Sequence, residues 1–240
     1  MIITPNTEEL LLSAAHNNAE WCAAVSRGGE FAVSAWTSAR RTPPYYPDAV
    51  TLTRDTPELV LLARIDTDTP GCSVKDSFAA LDLAPAGFKV LFEAQWIHRP
   101  AGAPAAGSAL GWARVGTPEE LDAWEAAWDG EESTGLFHPA LLTEHAENTA
   151  FLAGRSADGR IVAGAVANVS EGPRRVVGLS NVFTADGTPQ DEAWSGALTA
   201  VADLWPGLPV VGYESGDDLD TAVRHGFAPL GPLRVWLHTA

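Results

Sequence analysis

Apolar positions along the chain repeat with two periods. Residues 149–155 (TAFLAGR), 159–170 (GRIVAGAVANVS) and 174–184 (RRVVGLSNVFT) read as three strands in succession, with turn signals at 158–160 and 170–175. The middle one is apolar on both faces, as a strand buried from both sides must be. Shorter β-prone runs occur at 30–36 (EFAVSAW), 48–53 (DAVTLT), 71–75 (GCSVK), 88–97 (FKVLFEAQWI), 110–115 (LGWARV), 208–213 (LPVVGY) and 227–238 (FAPLGPLRVWLH).

Helix starts are marked by capping chemistry. Asn6 precedes a leucine run with Glu9 three residues on, and Thr117, Pro118 and Glu120 spell a capping box with proline in the first turn. Thr-Pro recurs at Thr56–Pro57 and Thr188–Pro189, the latter with Asp191 in the first turn. Residues 138–148 read as a further short helix. In the first helix, Leu10, Ala14, Asn17, Trp21 and Val25 share one face, which sets an amide on an apolar stripe. Asn17 and Asn18 therefore mark either a break between two short helices or a ligand or interdomain contact.

The unit YESGDDLDTAVRHGF (213–227) has an echo in KDSFAALDLAPAGF (75–88): strand lead-in, short acidic helix, Gly-Phe, then a strand carrying Trp. Residues 99–109, rich in Pro, Ala and Gly, are the one linker-like stretch. They divide the chain into residues 1–100 and 106–240, and the echo points to a duplicated architecture.

Charge narrows the function. The net charge is −16, which repels nucleic acid and anionic membranes over most of the surface. Residues 116–148 hold nine acids and no Lys or Arg, a solvated helix face or a mouth selective for cations. Cys22 and Cys72 lack metal or redox spacing, and His138, Glu144 and His145 lack a convincing ligand pattern, so neither a disulfide framework nor a metal is expected. The first residues have neither the basic nor the apolar region of a leader, and a cytoplasmic protein is expected.

The order of the second half is strand, two helices, three antiparallel strands, helix, strand, helix, Gly-Phe, strand. With AVRHGFAPLG at 222–231, it resembles the GNAT acyltransferase fold. The first half resembles an incomplete copy, which implies a tandem or pseudo-tandem GNAT-like protein of an actinobacterial type. The fold class so implied is α/β (α+β): a mixed, mostly antiparallel sheet flanked by helices. The resemblance implies acyl transfer from acetyl-CoA or another acyl-CoA to an amine on a small molecule. It also implies a pyrophosphate-cradling loop after VVGLSNVFT, where this chain has TADGTPQDEAWSGA, with Thr188 at the place of the usual Arg or Gln and with Asp191 and Glu192 in the first turn. The Tyr that many members place four residues before the Gly of Gly-Phe is here Ala222.

The candidate residues follow from these positions. Glu214, at a strand end, is the general-base candidate, with capping of the next helix as its other reading. Tyr213 can replace the missing proton donor, and His225 reads as a helix cap or, less simply, a catalytic group. Asn181 or Ser180 would face the cleft, or one of them simply satisfies a bulged backbone, and backbone N–H groups near Val182 and Thr184 would polarise the acyl carbonyl. Arg40 and Arg41, in the basic aromatic stretch 38–50, could hold a phosphate or carboxylate, and Tyr45 and Tyr46 could stack on a planar group; otherwise that stretch is a rigid surface loop. The rival function is a non-catalytic ligand-binding or scaffolding protein with a degenerate acyl-CoA site.

Overall fold

The three successive strands at the centre of the pattern are present as β7 (Thr149–Arg155), β8 (Ile161–Ser170) and β9 (Val176–Thr184), each antiparallel to the next. The computed structural model describes residues 7–103, 107–130 and 133–239. The Asn6 cap, residues 104–106 of the linker-like stretch and the boundary at 106 lie outside the described residues.

The other elements are α1 (Thr7–Ser26), β1 (Glu30–Phe31), β2 (Ala35–Thr37), β3 (Ala49–Thr51), α2 (Glu58–Leu62), β4 (Ser73–Asp76), β5 (Phe88–Arg99), β6 (Gly111–Arg114), α3 (Pro118–Asp129), α4 (Gln190–Leu204), β10 (Val210–Glu214), α5 (Gly216–Arg224) and β11 (Ala228–His238). All the strands belong to one eleven-stranded sheet in the order β1-β2-β3-β4-β11-β5-β10-β9-β8-β7-β6. Most neighbours are antiparallel; β3–β4 and β9–β10 are parallel. β11 lies between β4 and β5, and β5 lies between β11 and β10. The strand that follows each Gly-Phe thus pairs with the other, from Ala228↔His98 to His238↔Phe88.

Alternation along β7 and β8 sends side chains to two cores. Phe151, Ala153 and Val166 pack with Trp21 and Val25 of α1 and Leu121 and Trp124 of α3. Leu152, Ala165 and Ala167 pack with Trp194 and Leu198 of α4 and Ala222 of α5. The helices therefore cover opposite faces of the sheet, and β8 is buried from both sides as its sequence requires. Among the described residues no helix is long and apolar enough to cross a membrane.

Caps decide several helix boundaries. Thr117 Oγ1 accepts from the Glu120 N–H, and Glu120 accepts from the Gly116 N–H, so the capping box is present with its return bond one residue further out. Thr56 and Thr188 do not cap. The Thr56 hydroxyl donates to the Ser34 and Thr53 carbonyls, and Pro189 precedes α4 with no side-chain cap. Residues 139–142 form one 3-10 turn, capped by His138 Nδ1. The acidic helix expected within 75–88 is also absent. The buried Asp76 carboxylate accepts the N–H groups of Phe78 and Leu81, and only a 3-10 turn (Ala84–Ala86) precedes Gly87. The break expected at Asn17–Asn18 does not occur either. α1 runs on because both amides find partners outside the helix.

Candidate active site

The site begins where β9 and β10 part. They pair at Val210↔Val177 and Val211↔Gly178 and then diverge. On its other side β9 bulges: Phe183 pairs with Gly164 and Ser180 with Val166, which leaves Asn181 and Val182 opposite Ala165 alone. Asn181 takes the left-handed conformation, with φ 51°. Its Oδ1 accepts from Ser180 Oγ at 3.1 Å, so the two polar side chains serve one another across the bulge.

The parting opens a cavity of about 740 Å³ that runs from the bulge to the first half of the chain. Ser180, Asn181, Val182, Tyr213 and Glu214 line it from one side; Asn18, Arg41, Tyr46, Lys75 and Trp96 line it from the other. The mouth is bridged by Tyr45 and Trp128, whose rings meet edge-on at 5.6 Å. Tyr45 and Tyr46 thus stack within the protein: Tyr46 is buried against Trp21, with ring centroids 6.3 Å apart.

Glu214 is half-buried and has no hydrogen-bond or ion-pair partner among the described residues. It does not cap α5, whose N-cap Ser215 makes no side-chain bond either. Burial, and then the charge of Asp218, push its carboxyl up to about 8. A carboxyl in this state is neutral at pH 7 and can accept a proton only once the pH or a bound cation favours its ionised form. The neighbouring Tyr213 ring stands edge-on to Trp96 at 5.6 Å and carries the Lys75 ammonium 4.2 Å above its centroid.

α1 forms the floor. Asn17 Nδ2 donates to the Asn168 carbonyl at 2.9 Å and to Ser170 Oγ at 3.1 Å, and this fixes α1 against β8. The fit depends on Gly178, since a Cβ there would overlap Asn17 Oδ1. Asn18 Oδ1 accepts from Lys75 Nζ at 2.8 Å. Nothing in the sequence alone brings Lys75 and Asn18 together. The available signal was a lysine in a β-prone run of a chain with only two lysines.

The remaining sequence candidates lie elsewhere. Thr184 sits past the bulge, opposite Ala163 in the ladder, and Thr188 in the turn before α4; neither lines the cavity. Arg40 faces a different hollow with Thr37 and Asp66. Arg41 reaches the cavity wall, but its guanidinium is held by Asp48 and by the carbonyls of Asp66 and Thr69. His225 caps the end of α5, stacks on Trp194 and meets Asp191 at 2.8 Å. The hydrogen bond with His225, aided by Arg224, holds Asp191 below the usual carboxylate range. Glu192 accepts from Ser108 Oγ at 2.6 Å and the Ala109 N–H at 2.8 Å. A CoA pyrophosphate at the start of α4 would meet two carboxylates, one of which, Asp191, already engages His225 and Arg224. This donor set does not fit that group. Among the described residues no group of three or more His, Cys, Asp or Glu could hold a metal ion.

No family model matches the chain, and no curated protein matches it. Solved structures do. A GCN5-related N-acetyltransferase from Kribbella flavida superposes with a TM-score of 0.64 at 16% identity, over 95% of this chain and 96% of that one. A putative acetyltransferase of the GNAT family from Novosphingobium aromaticivorans gives 0.58 at 14% identity, over 94% and 99%. A GCN5-related N-acetyltransferase from Sphaerobacter thermophilus gives 0.51 at 12%, over 73% and 62%.

The chain has the GNAT fold. At these identities it is architecture that is shared, and in this GNAT fold the diverging strands, the bulge and the cavity are the features to which chemistry can attach.

Proposed function

We propose that this protein transfers an acyl group from a thioester to an amine on a small molecule bound in the large cavity. The observation that carries this reading is Glu214, a partnerless carboxyl with its pKa pushed up to about 8, lining the same cavity as the β9 bulge. In its ionised form Glu214 takes the proton from the acceptor's ammonium group and leaves a nucleophilic amine next to the bulge. Asn181 orients that amine, and Val182 presents the bulged backbone to the cavity. Tyr213, next to Glu214, is the proposed proton donor in place of a residue at Ala222. Thr184, Thr188, Arg40 and Arg41 have no part in this proposal, because they lie off the cavity or are already engaged. Residues 1–100 and 106–240 are proposed as two GNAT-like units, the first partial, that share the site between them.

The donor is proposed only as a thioester. CoA gripped by its pyrophosphate at α4 is not included, because Asp191 and Glu192 occupy that turn. That same turn favours the second reading, a GNAT-fold protein that binds a small ligand and transfers nothing. Thiol release from acetyl-CoA, longer acyl-CoAs and acyl-N-acetylcysteamine, assayed with a panel of amines, separates the two. Transfer that Glu214→Gln abolishes supports the first. No transfer and no thermal shift with any thioester leaves the second.

A further inference from the structure

Lys75 is only 4% exposed, yet among the described residues it forms no ion pair with a carboxylate. A buried ammonium is costly and is ordinarily paired with an acid. Here it donates once, to Asn18 Oδ1 at 2.8 Å, and rests on the Tyr213 ring face at 4.2 Å. An ammonium has three donors, one of which is used here, and Lys75 lines the cavity.

The charge around it is unbalanced in the same sense. Arg41 is matched by Asp48. Glu214 is the one acid in the cavity wall, and it is neutral below about 8. At neutral pH the cavity therefore carries an unmatched positive charge inside a protein of net charge −16. Its remaining wall is largely apolar, with Trp21, Tyr46 and Trp96 prominent, and a space of about 740 Å³ accepts a ligand with a sizeable apolar body.

We propose that Lys75, with Asn18, is the subsite for a carboxylate on the ligand, and that the acceptor is an amino acid or similar amine carrying both a carboxylate and an apolar side chain. The word acceptor rests on the acyl-transfer reading; the carboxylate subsite stands without it. Lys75 supplies the charge and two free N–H donors, Asn18 fixes the ammonium's direction, and the Tyr213 ring supports the ammonium from beneath.

Calorimetric titration of the full chain with three compounds of one shape tests this: L-phenylalanine, 3-phenylpropionate, which lacks the amine, and 2-phenylethylamine, which lacks the carboxylate. Both carboxylates are expected to bind at least about tenfold more tightly than the amine. Lys75→Met is expected to erase that preference, Lys75→Arg to keep part of it, and the ligand-free melting temperature of Lys75→Met to stay level or rise, because an uncompensated charge is removed. A lysine serving only to hold α1 against β4 would give the reverse: a lower melting temperature with the carboxylate preference intact, which overturns the proposal. Equal or tighter binding of 2-phenylethylamine to the wild-type protein overturns it too, and needs no variant that folds. Carboxylate binding without any acyl transfer defeats the functional reading and leaves this subsite standing. Transfer to 2-phenylethylamine and L-phenylalanine with equal efficiency does the opposite.

Discussion

β4 and β10 end alike and are used differently. Each is parallel to the strand before it at two positions, Ala49↔Val74 and Val50↔Lys75 in one case, Val210↔Val177 and Val211↔Gly178 in the other. Each is antiparallel to the strand that follows the other's Gly-Phe, with Arg234 opposite Asp76 and Gln95 opposite Glu214. Arg234 and Gln95 lie equally far beyond Phe227 and Phe88, so Lys75–Asp76 occupies the register of Tyr213–Glu214. The two pairs meet where Lys75 rests on Tyr213. The acids then diverge. Asp76 binds the N–H groups of Phe78 and Leu81 and holds its own corner together. Glu214 makes no such bond: α5 follows it directly, and neither Glu214 nor the N-cap Ser215 caps that helix. At one register position, then, one acid is spent on the backbone that follows it and the other is left free for the chemistry proposed above.

Substitution breaks this comparison most sharply at the acids themselves. Glu214→Gln is expected to lower the acyl-transfer rate by about 10²–10⁴-fold with little change in melting temperature, read from steady-state kinetics and calorimetry together. At the equivalent position, Asp76→Ala is expected to cost about 2–4 kcal/mol in chemical denaturation, since two buried N–H groups lose their acceptor. If that loss came instead from Glu214→Ala, the assignment of roles would be inverted.

pH sharpens the comparison next. The Glu214 carboxyl is raised from 4.5 to about 8, chiefly by burial, so the folded protein favours its neutral form. Its contribution to stability is complete below 4.5 and is lost as the pH rises to about 8, whereas its capacity as a base grows over the same range. The transfer rate should therefore climb to a plateau above about 8 while stability declines, and Glu214→Gln should flatten that part of the stability profile. A rate already at its plateau at pH 6 would remove Glu214 as the base.

The smallest effect is at the two corners. Gly87 and Gly226 have φ of 86° and 87°, and alanine at either should cost about 1 kcal/mol of stability. Gly87→Ala should cost more, because its Cβ would press on His238 Nε2 at 3.0 Å, whereas at Gly226 the nearest atom is Arg99 Nε at 3.6 Å. Equal melting temperatures would show that the first corner yields as easily as the second.

The elements legible in the sequence are those held by local rules. β7 to β9 follow from apolar runs set between turn signals, α3 from its cap, and the Gly-Phe corners from the left-handed glycine each needs. The elements misread are those whose polar groups bond across the fold. Asn17 reads as a helix break until Asn168 and Ser170 are placed beside it. Residues 75–88 read as helical until the Asp76 carboxylate turns back onto the backbone. The strand end at Tyr213–Glu214 was legible, and so was the departure at Asp191 and Glu192. The facing Lys75 was not, because its neighbourhood exists only once β4 is brought near β10 through the long strands between them.

Those long strands have a consequence for how the molecule is made. Residues 228–238 are synthesised after the other ten described strands, yet they belong between β4 and β5. Until they leave the ribosome, β4 and β5 each present a bare edge, and the cavity has no settled wall between its two sides. Assembly waits on pairing between segments far apart in the chain, which is slow. Either half alone would therefore leave a long strand edge bare, and the cavity, lined from both halves, would lack one of its walls.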